Sequence, residues 1–552
     1  MAAESFDFVI VGAGSAGCVL ADRLTEGGAT VLLLEYGGSD RSPLIQMPAA
    51  LSIPMNMPKY DWRFFTEPEP NLGGRRLHTP RGKVLGGSSS INGLVYVRGN
   101  PLDFERWESE GARGWRYRDV LPYFKRAERR AGGGDRYRGA AGKLDTRQGL
   151  LANPLHGAWL EAGRQAGYLL TSDMNGYQQE GFGRMDMTVG DGRRSSTANA
   201  YLRPAMRRGA LCVRTHALAT RIVFEGRRAV GVAFRRGGAE HLARANREVI
   251  VSAGPIQSPK LLKLSGIGPA AELSRHGIAP VHDLPGVGEN LQDHLEFYFQ
   301  MACTQPITLY GQTGALRRAL IGLRWLLTRG GLGASNQFET GGFIRSRAGV
   351  RYPDIQFHFL PMAVSYDGSS LAREHGFQAH VGPMRSKSRG WVRLASTEAL
   401  EPPKVFFNYL SRPEDREEMR ACVRLTREIF AQPAFEPYRG REIQPGGAVR
   451  TDAEIDEFIR ARVESAYHPS CSCRMGAVGD PAAVVDPQAR VIGVEGLRVV
   501  DSSIMPSITT GNLNAPTIML AEKAADHILG RAPLAPDDAP YYVAPNWETS
   551  QR

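Results

Sequence analysis

The stretch that most constrains this chain is its opening: Asp7-Phe-Val-Ile-Val11, then Gly12-Ala-Gly14-Ser-Ala-Gly17, then Cys18-Val-Leu-Ala-Asp-Arg-Leu24. The run before Gly12 is short, apolar and β-branched, as in a strand buried on both faces, and Val19, Leu20 and Leu24 then fall at helical spacing. A second strand, residues 30–34, ends at Glu35. Strand, tight turn, helix and strand in this order open a doubly wound α/β fold, and the glycines have separate tasks: Gly12 permits the turn, Gly14 admits a pyrophosphate against the backbone, and Gly17 lets helix pack on strand. The helix N-terminus faces the phosphates. Glu35 lies 35 − 12 = 23 residues after Gly12, where a carboxylate accepts from both hydroxyls of an adenosine ribose and repels a 2′-phosphate. The stretch predicts a dinucleotide site that disfavours NADP; it does not separate FAD from NAD.

A chain of 552 residues is too long for one core and predicts two or three substructures. The six cysteines are scattered, and Cys471-Ser-Cys473 has no second pair to complete a zinc site, so neither a metal nor a disulfide framework is expected. The first strand begins too early to leave room for a secretory signal, and the most apolar later run, residues 319–323, meets Arg324 well short of a bilayer span. Net charge is +11, carried by dispersed Arg and Lys. Two readings stay open, a soluble Arg-rich surface and attraction to an anionic membrane face; no nucleic-acid motif accompanies the charge. The expected location is the cytoplasm or, peripherally, the cytoplasmic face of the inner membrane, held by charge that salt would strip.

Along the chain, residues 44–58 are rich in Pro and Met and read as irregular cover over a cleft, followed by Tyr60-Asp61-Trp62. Gly86-Gly-Ser-Ser-Ser-Ile-Asn92-Gly93 is a second glycine-rich turn whose hydroxyls suit phosphate or a flavin edge, and residues 132–143 read as an exposed loop. Alternating runs at 219–224, 229–234 and 248–252 predict a small antiparallel sheet feeding back into the parallel one. Ser258 and Pro259 suggest a capped helix start. Residues 498–501 read as a last buried strand. The helix at 518–529 starts after Pro516 and points its positive end at whatever the polar loop from Ser507 to Thr517 touches.

Taken together, the Gly12 fingerprint, the Gly86 turn, Ser252-Ala-Gly-Pro-Ile-Gln-Ser-Pro259, Leu284-Pro-Gly-Val-Gly-Glu-Asn-Leu-Gln-Asp-His294 and Gly511-Asn-Leu-Asn-Ala-Pro-Thr517 resemble the glucose-methanol-choline oxidoreductases over nearly the whole chain. Tyr96-Val-Arg-Gly99, Trp107, Gly111-Ala-Arg-Gly-Trp115, residues 174–183, Glu339-Thr-Gly-Gly-Phe-Ile-Arg-Ser346 and Ala466-Tyr-His-Pro-Ser-Cys471 narrow the likeness to members that dehydrogenate choline. The resemblance implies a Rossmann-like FAD-binding domain, with its parallel sheet and small antiparallel sheet, and an α+β substrate-binding domain. It implies the FAD-binding part at 1–155, 156–300 and 464–535, the substrate domain at 301–463, and a tail at 536–552.

The implied activity is oxidation of choline to betaine aldehyde, and on to the osmoprotectant glycine betaine, by hydride transfer to flavin. His468 matches the catalytic histidine and Asn512, 512 − 468 = 44 residues on, matches its partner. Ser15, Val84, Gly86, Asn92, Gly93, Ile222, Asp501 and Asn514 join Gly12, Gly14, Gly17 and Glu35 in the implied FAD site. A quaternary ammonium donates no hydrogen bond, so its site needs aromatic faces and a countercharge. Trp62 and Tyr467 match lining positions, and Glu339 is the expected carboxylate, an exposed structural glutamate being the alternative. Choline oxidases of the family carry a flavin-linked histidine where this chain has Ile91, so FAD is expected to be noncovalent and electrons to pass to a carrier such as a membrane quinone. Two other readings remain, a dehydrogenase of another primary alcohol and a flavin protein without redox turnover.

Overall fold

The computed structural model describes residues 4–364 and 374–552. The opening reading holds: strand Glu4–Val11 runs through a turn at Gly12 into helix Ser15–Glu26 and back into strand Val31–Leu34. In the parallel sheet the strand order is Leu211–Arg214, Val31–Leu34, Glu4–Val11, Ala239–Val251, Leu497–Val499. Ala239–Val251 is long enough to serve the parallel and antiparallel parts of one mixed sheet: Glu248 to Val251 pair in parallel with Phe8 to Val11, while Ala239 to Arg244 pair antiparallel with Arg228–Arg236, itself paired with Leu218–Glu225. This is the antiparallel excursion that the alternating runs predict. The parallel strands are buried on both faces, with Phe8, Val9, Ile10 and Leu32 fully covered, because helices pack on each side.

Gly12, at φ +99°, lies where a Cβ would meet the Ser252 carbonyl at 2.4 Å, and a Cβ on Gly17 would meet the Gly12 carbonyl at 1.9 Å. No other residue lets these two strands and the helix approach so closely.

A second, antiparallel sheet forms the other lobe, in the order Arg439–Gln444, Leu295–Cys303, Gly376–Pro383, Ile355–Leu360, Thr340–Ile344, Gly181–Arg184. It opens at Leu295, six residues ahead of the expected start of the substrate domain at 301, and borrows an edge strand from residues 181–184. Period-2 alternation divides its central strands. Phe297, Phe299, Phe357, Phe359, Phe377, Ala379 and Val381 enter an aromatic core with Trp159 and Phe430. Glu296, Tyr298, Gln356, His358, Gln378 and His380 point the other way, and the register sets Tyr298 opposite His380 and His380 opposite His358.

Two local expectations are corrected and one is refined. Ser258 caps nothing: the helix runs Gly254–Leu264, and the Ser258 hydroxyl donates to Asp501 at 2.6 Å. Pro259 is tolerated inside it because the carbonyl its missing N–H would have bonded, that of Pro255, accepts from the Ser472 hydroxyl at 2.5 Å. Residues 132–143 form the expected irregular and largely exposed loop, pinned at one point where Arg138 is buried among Glu128, Asp173 and Asp186. The last helix begins at Asn514, with Pro516 in its first turn rather than before it.

Candidate active site

One cavity runs between the two lobes, from the Gly12 turn to His468. Its cofactor end is built by the parallel sheet. Gly12, Gly14, Ser15 and Glu35 line it, and a Cβ on Gly14 would meet nothing closer than 4.0 Å, leaving the backbone open to a ligand. Glu35 accepts from the backbone N–H of Ala13 at 3.0 Å and of Gly37 at 2.6 Å; burial nonetheless pushes its carboxyl up to about 7. The Ser15 hydroxyl donates to Asn514 at 2.8 Å, tying the N-termini of helices Ser15–Glu26 and Asn514–Ile528 to one wall. Two helix N-termini therefore face the cavity, a favourable setting for anionic groups. The Ser252 hydroxyl, buried in the same wall, has no partner among the described residues. Open backbone, a ribose-facing carboxylate, positive helix ends and an orphaned hydroxyl fit a dinucleotide of the FAD kind.

Of the cofactor residues read from sequence, Asn92, Gly93 and Asp501 also line the cavity. Gly17, Val84, Gly86 and Ile222 do not. Gly17 does its work inside the fold, Gly86 donates its N–H to the Ala13 carbonyl at 2.7 Å, and Val84 accepts from the Gly87 N–H at 2.7 Å, so these two hold the glycine-rich turn against the fingerprint. Ile222 is buried in its strand, and the wall there is formed by Ala217, Leu218 and Ala219. Ile91 faces the cavity as an apolar wall.

At the other end the hydrogen-bond network fixes the proton on each imidazole. His294 is fully buried, with Nε2 3.0 Å from the Met384 carbonyl and Nδ1 3.0 Å from Nδ1 of His468. A carbonyl only accepts, so His294 carries its proton on Nε2 and its Nδ1 accepts. His468 must then carry its proton on Nδ1, which leaves its Nε2 a free base that accepts from Asn512 Nδ2 at 3.1 Å. The Asn512 amide is oriented in turn, because its Oδ1 accepts from Gln356 Nε2 at 3.1 Å and lies 3.2 Å from His358 Nε2. Burial, then the neighbouring His294 and His358, holds the pKa of His468 well below the ordinary 6.5. Burial likewise lowers His294 to about 3 and His358 to about 4.

The backbone carrying His468 is strained and heavily restrained. Tyr467 has φ +64°, a conformation disfavoured for a bulky residue. Its N–H donates to the Ser465 hydroxyl at 2.8 Å, Arg81 donates to its carbonyl at 2.6 Å, and the His468 N–H donates to Asp293 at 2.7 Å. Asp293 also accepts from the hydroxyls of Ser465 and Tyr409, and burial pushes its carboxyl up to about 6. These bonds hold the imidazole where a substrate hydroxyl can meet it.

Trp62, Tyr467 and Phe338 line this end, Trp62 stacked on Tyr36 with ring centroids 5.0 Å apart. Glu339 does not reach it. Its carboxylate accepts from the Ser335 hydroxyl and the Leu151 N–H, both at 2.7 Å, and lies 4.0 Å from His156 in the wall behind the sheet, so it is neither exposed nor at the cavity. Among the described residues, the carboxylates that do line the cavity are Glu35, Asp501 and Glu296. Glu35 and Asp501 belong to the cofactor side; Glu296, 3.0 Å from His380 Nδ1, stands on the polar face of the second sheet beside His358. Sequence reading missed Glu296, His294, Gln356, His358 and His380. His294 stood only as the end of a family motif, and the signal of the others was faint: polar residues at alternate positions of strands otherwise buried and aromatic.

Comparison with known proteins covers the same ground. The family profile described as GMC oxidoreductase matches residues 6–296, and its C-terminal counterpart matches residues 386–521. The chain is 60% identical over 547 residues to the oxygen-dependent choline dehydrogenase of Brucella suis biovar 1 (strain 1330), covering 99% of this chain and 100% of that one. It is 58% identical over 552 residues to the oxygen-dependent choline dehydrogenase of Vibrio vulnificus (strain YJ016), covering 100% and 99%. Among solved structures it is similar to pyridoxine 4-oxidase from Mesorbium loti, with TM-score 0.87, 30% identity and coverage of 95% and 99%, and to a formate oxidase, with TM-score 0.91, 26% identity and coverage of 96% and 99%.

Proposed function

The chain belongs to the GMC oxidoreductase family, whose members bind FAD, and on that premise we propose that it is a choline dehydrogenase that oxidises choline to betaine aldehyde and on to glycine betaine. The observation that carries this reading is the pairing of a free imidazole base with a carboxylate and aromatic rings in one cavity: His468 Nε2, held beside Asn512, and Glu296 with Trp62, Tyr467 and Phe338. Bound FAD supplies a hydride acceptor at its N5 atom.

The chain's own residues do the rest. His468 Nε2 takes the proton of the choline hydroxyl, for which its neutral form at pH 7 is ready. Asn512 Nδ2 donates to the same oxygen, stabilising the charge that develops as the hydroxyl ionises, while Gln356 keeps that amide from flipping. The trimethylammonium, which cannot donate a hydrogen bond, lies against the aromatic rings, with Glu296 as countercharge. Betaine aldehyde hydrates to a gem-diol with the same H–C–O–H unit, so the same base and donor serve the second oxidation. Ile91 offers no nucleophile to the flavin, which supports noncovalent attachment. Electrons leave to a quinone-type acceptor at a membrane.

The test is anaerobic addition of choline to the yellow holoenzyme. Bleaching of the flavin band, with stoichiometric betaine aldehyde, is expected; a flavin that stays oxidised contradicts the reading. Acid or heat should release all the FAD into solution, and flavin retained by the denatured chain would contradict noncovalent binding. Reoxidation by a short-chain quinone faster than by dissolved oxygen supports the quinone acceptor, and rapid hydrogen peroxide formation opposes it.

A further inference from the structure

Exposed apolar side chains usually lie scattered over a protein surface. Here, of sixteen large hydrophobic residues exposed among the described residues, six fall between 316 and 332. They belong to helix Ala315–Thr328 and the turn that follows it. Trp325 seats the helix, buried with its indole N–H donating to the Gly192 carbonyl at 2.7 Å. At 100° per residue, Leu316, Leu320, Leu323 and Leu327 fall within one narrow arc opposite Trp325. They are 75%, 53%, 53% and 76% exposed. Leu326, 49% exposed, widens the stripe, and Leu332 extends it past the helix end.

Arg317 and Arg324 border the stripe on one flank; residues 297–338 contain no Asp or Glu. An isologous contact with a second copy would bring these guanidinium groups together with no carboxylate from residues 297–338 to pair them. A surface of lipid phosphates supplies what the patch lacks, anions at the flank and hydrocarbon beneath the leucines. The helix has 14 residues and is fastened by Trp325, and no helix among the described residues is long and apolar enough to cross a membrane, so it lies on the bilayer rather than through it. Its following turn, Gly331–Ala334, packs on Pro48–Ala50. That segment leads into Leu51 and Met55, which wall the cavity, and Ile53, which is exposed beside them.

We propose that helix Ala315–Thr328 docks the protein on an anionic bilayer, with Leu316, Leu320, Leu323 and Leu327 entering between headgroups and Arg317 and Arg324 meeting lipid phosphates. The proposal rests on exposure and charge, not on the choline reading. It changes the expectation of purely electrostatic attachment: salt weakens the hold without abolishing it. It also turns the Leu51–Met55 side of the cavity toward the lipid, where a lipid-soluble acceptor resides.

The test uses the full chain loaded with FAD and vesicles of phosphatidylcholine, with and without phosphatidylglycerol, read by co-sedimentation. The parent is expected to partition onto the anionic vesicles and to keep part of that binding in high salt. Leu320→Ser with Leu327→Ser should lower partition at least about tenfold. Arg317→Ser with Arg324→Ser should lower it mainly at low salt and flatten its salt dependence. Both pairs lie on the surface and should keep the parent's flavin content and its turnover with a soluble dye acceptor. Absence of parent binding to anionic vesicles, or equal binding by the leucine pair, overturns the proposal. So does a dimer in solution that the leucine pair dissolves while vesicle binding is unchanged, which would make a second copy the occupant.

Discussion

The two sheets that flank the cavity carry their function in different ways. In the parallel sheet, one contiguous stretch from Phe8 to Glu35 supplies turn, helix end and carboxylate, and each residue's task follows from its place in that stretch. In the antiparallel sheet no stretch is sufficient. Glu296, His358 and His380 are distant in sequence and meet only because the strands at Leu295, Ile355 and Gly376 pair in one register, with their aromatic neighbours committed to the opposite face. On the proposed assignment, the fingerprint end of the cofactor site is written locally, and substrate recognition is written across strands.

The largest expected effect separates chemistry from cofactor binding. His468→Ala should lower turnover by roughly two to four orders of magnitude while flavin content stays at the parent level, since the histidine belongs to neither sheet's packing. Gly17→Val, at the heart of the local motif, should do the reverse and lose FAD together with soluble protein, because the added side chain meets the Gly12 carbonyl. Normal flavin content in Gly17→Val, or normal turnover in His468→Ala, breaks the division.

A smaller effect is expected from the residue that sets the tautomer. His294→Leu removes the acceptor for the His468 Nδ1 proton, and a lost orienting hydrogen bond of about 1.4 kcal/mol corresponds to roughly tenfold in turnover. Loss of thermal stability without that loss of turnover would reduce His294 to a packing role.

Acid should act on the substrate side. The unfolded chain protonates His358 near the ordinary 6.5, whereas burial lowers it to about 4 in the fold. The stability it contributes is therefore present above pH 6.5 and is lost as pH falls toward 4. His358→Gln should gain on the parent in unfolding free energy by about 1.4 kcal/mol for each pH unit over that window. A difference that does not change with pH contradicts the assignment.

What was legible in the sequence follows the same line. The Gly12 fingerprint, the parallel strands, the antiparallel excursion from Leu218 and the pairing of His468 with Asn512 could be read because they depend on local spacing or a family motif. Glu339 was misread because a glutamate beside a glycine-rich strand gives no sign of which way its side chain turns; it turns inward to Ser335 and Leu151. Ser258 looked like a cap because Ser-Pro usually opens a helix, and the tertiary partners Asp501 and Ser472 overrode that preference. The alternation of aromatic and polar residues in Ile355–Leu360 was visible, but the function of its polar face needed two more strands.

The most direct test comes from one pair of glutamates. Glu339→Gln should leave the ratio of Michaelis constants for choline and its neutral isostere 3,3-dimethylbutan-1-ol unchanged, because its carboxylate is turned away from the cavity. Glu296→Gln should raise the constant for choline at least roughly tenfold and hardly alter that for the isostere, since the cation keeps its attraction to the aromatic faces, about 2 kcal/mol or more when desolvated, but loses its countercharge. Measured side by side, a selective loss of choline in Glu296→Gln alone is the predicted result. Equal losses for both alcohols, or a selective loss in Glu339→Gln, would contradict the claim that the polar face of the second sheet recognises the substrate.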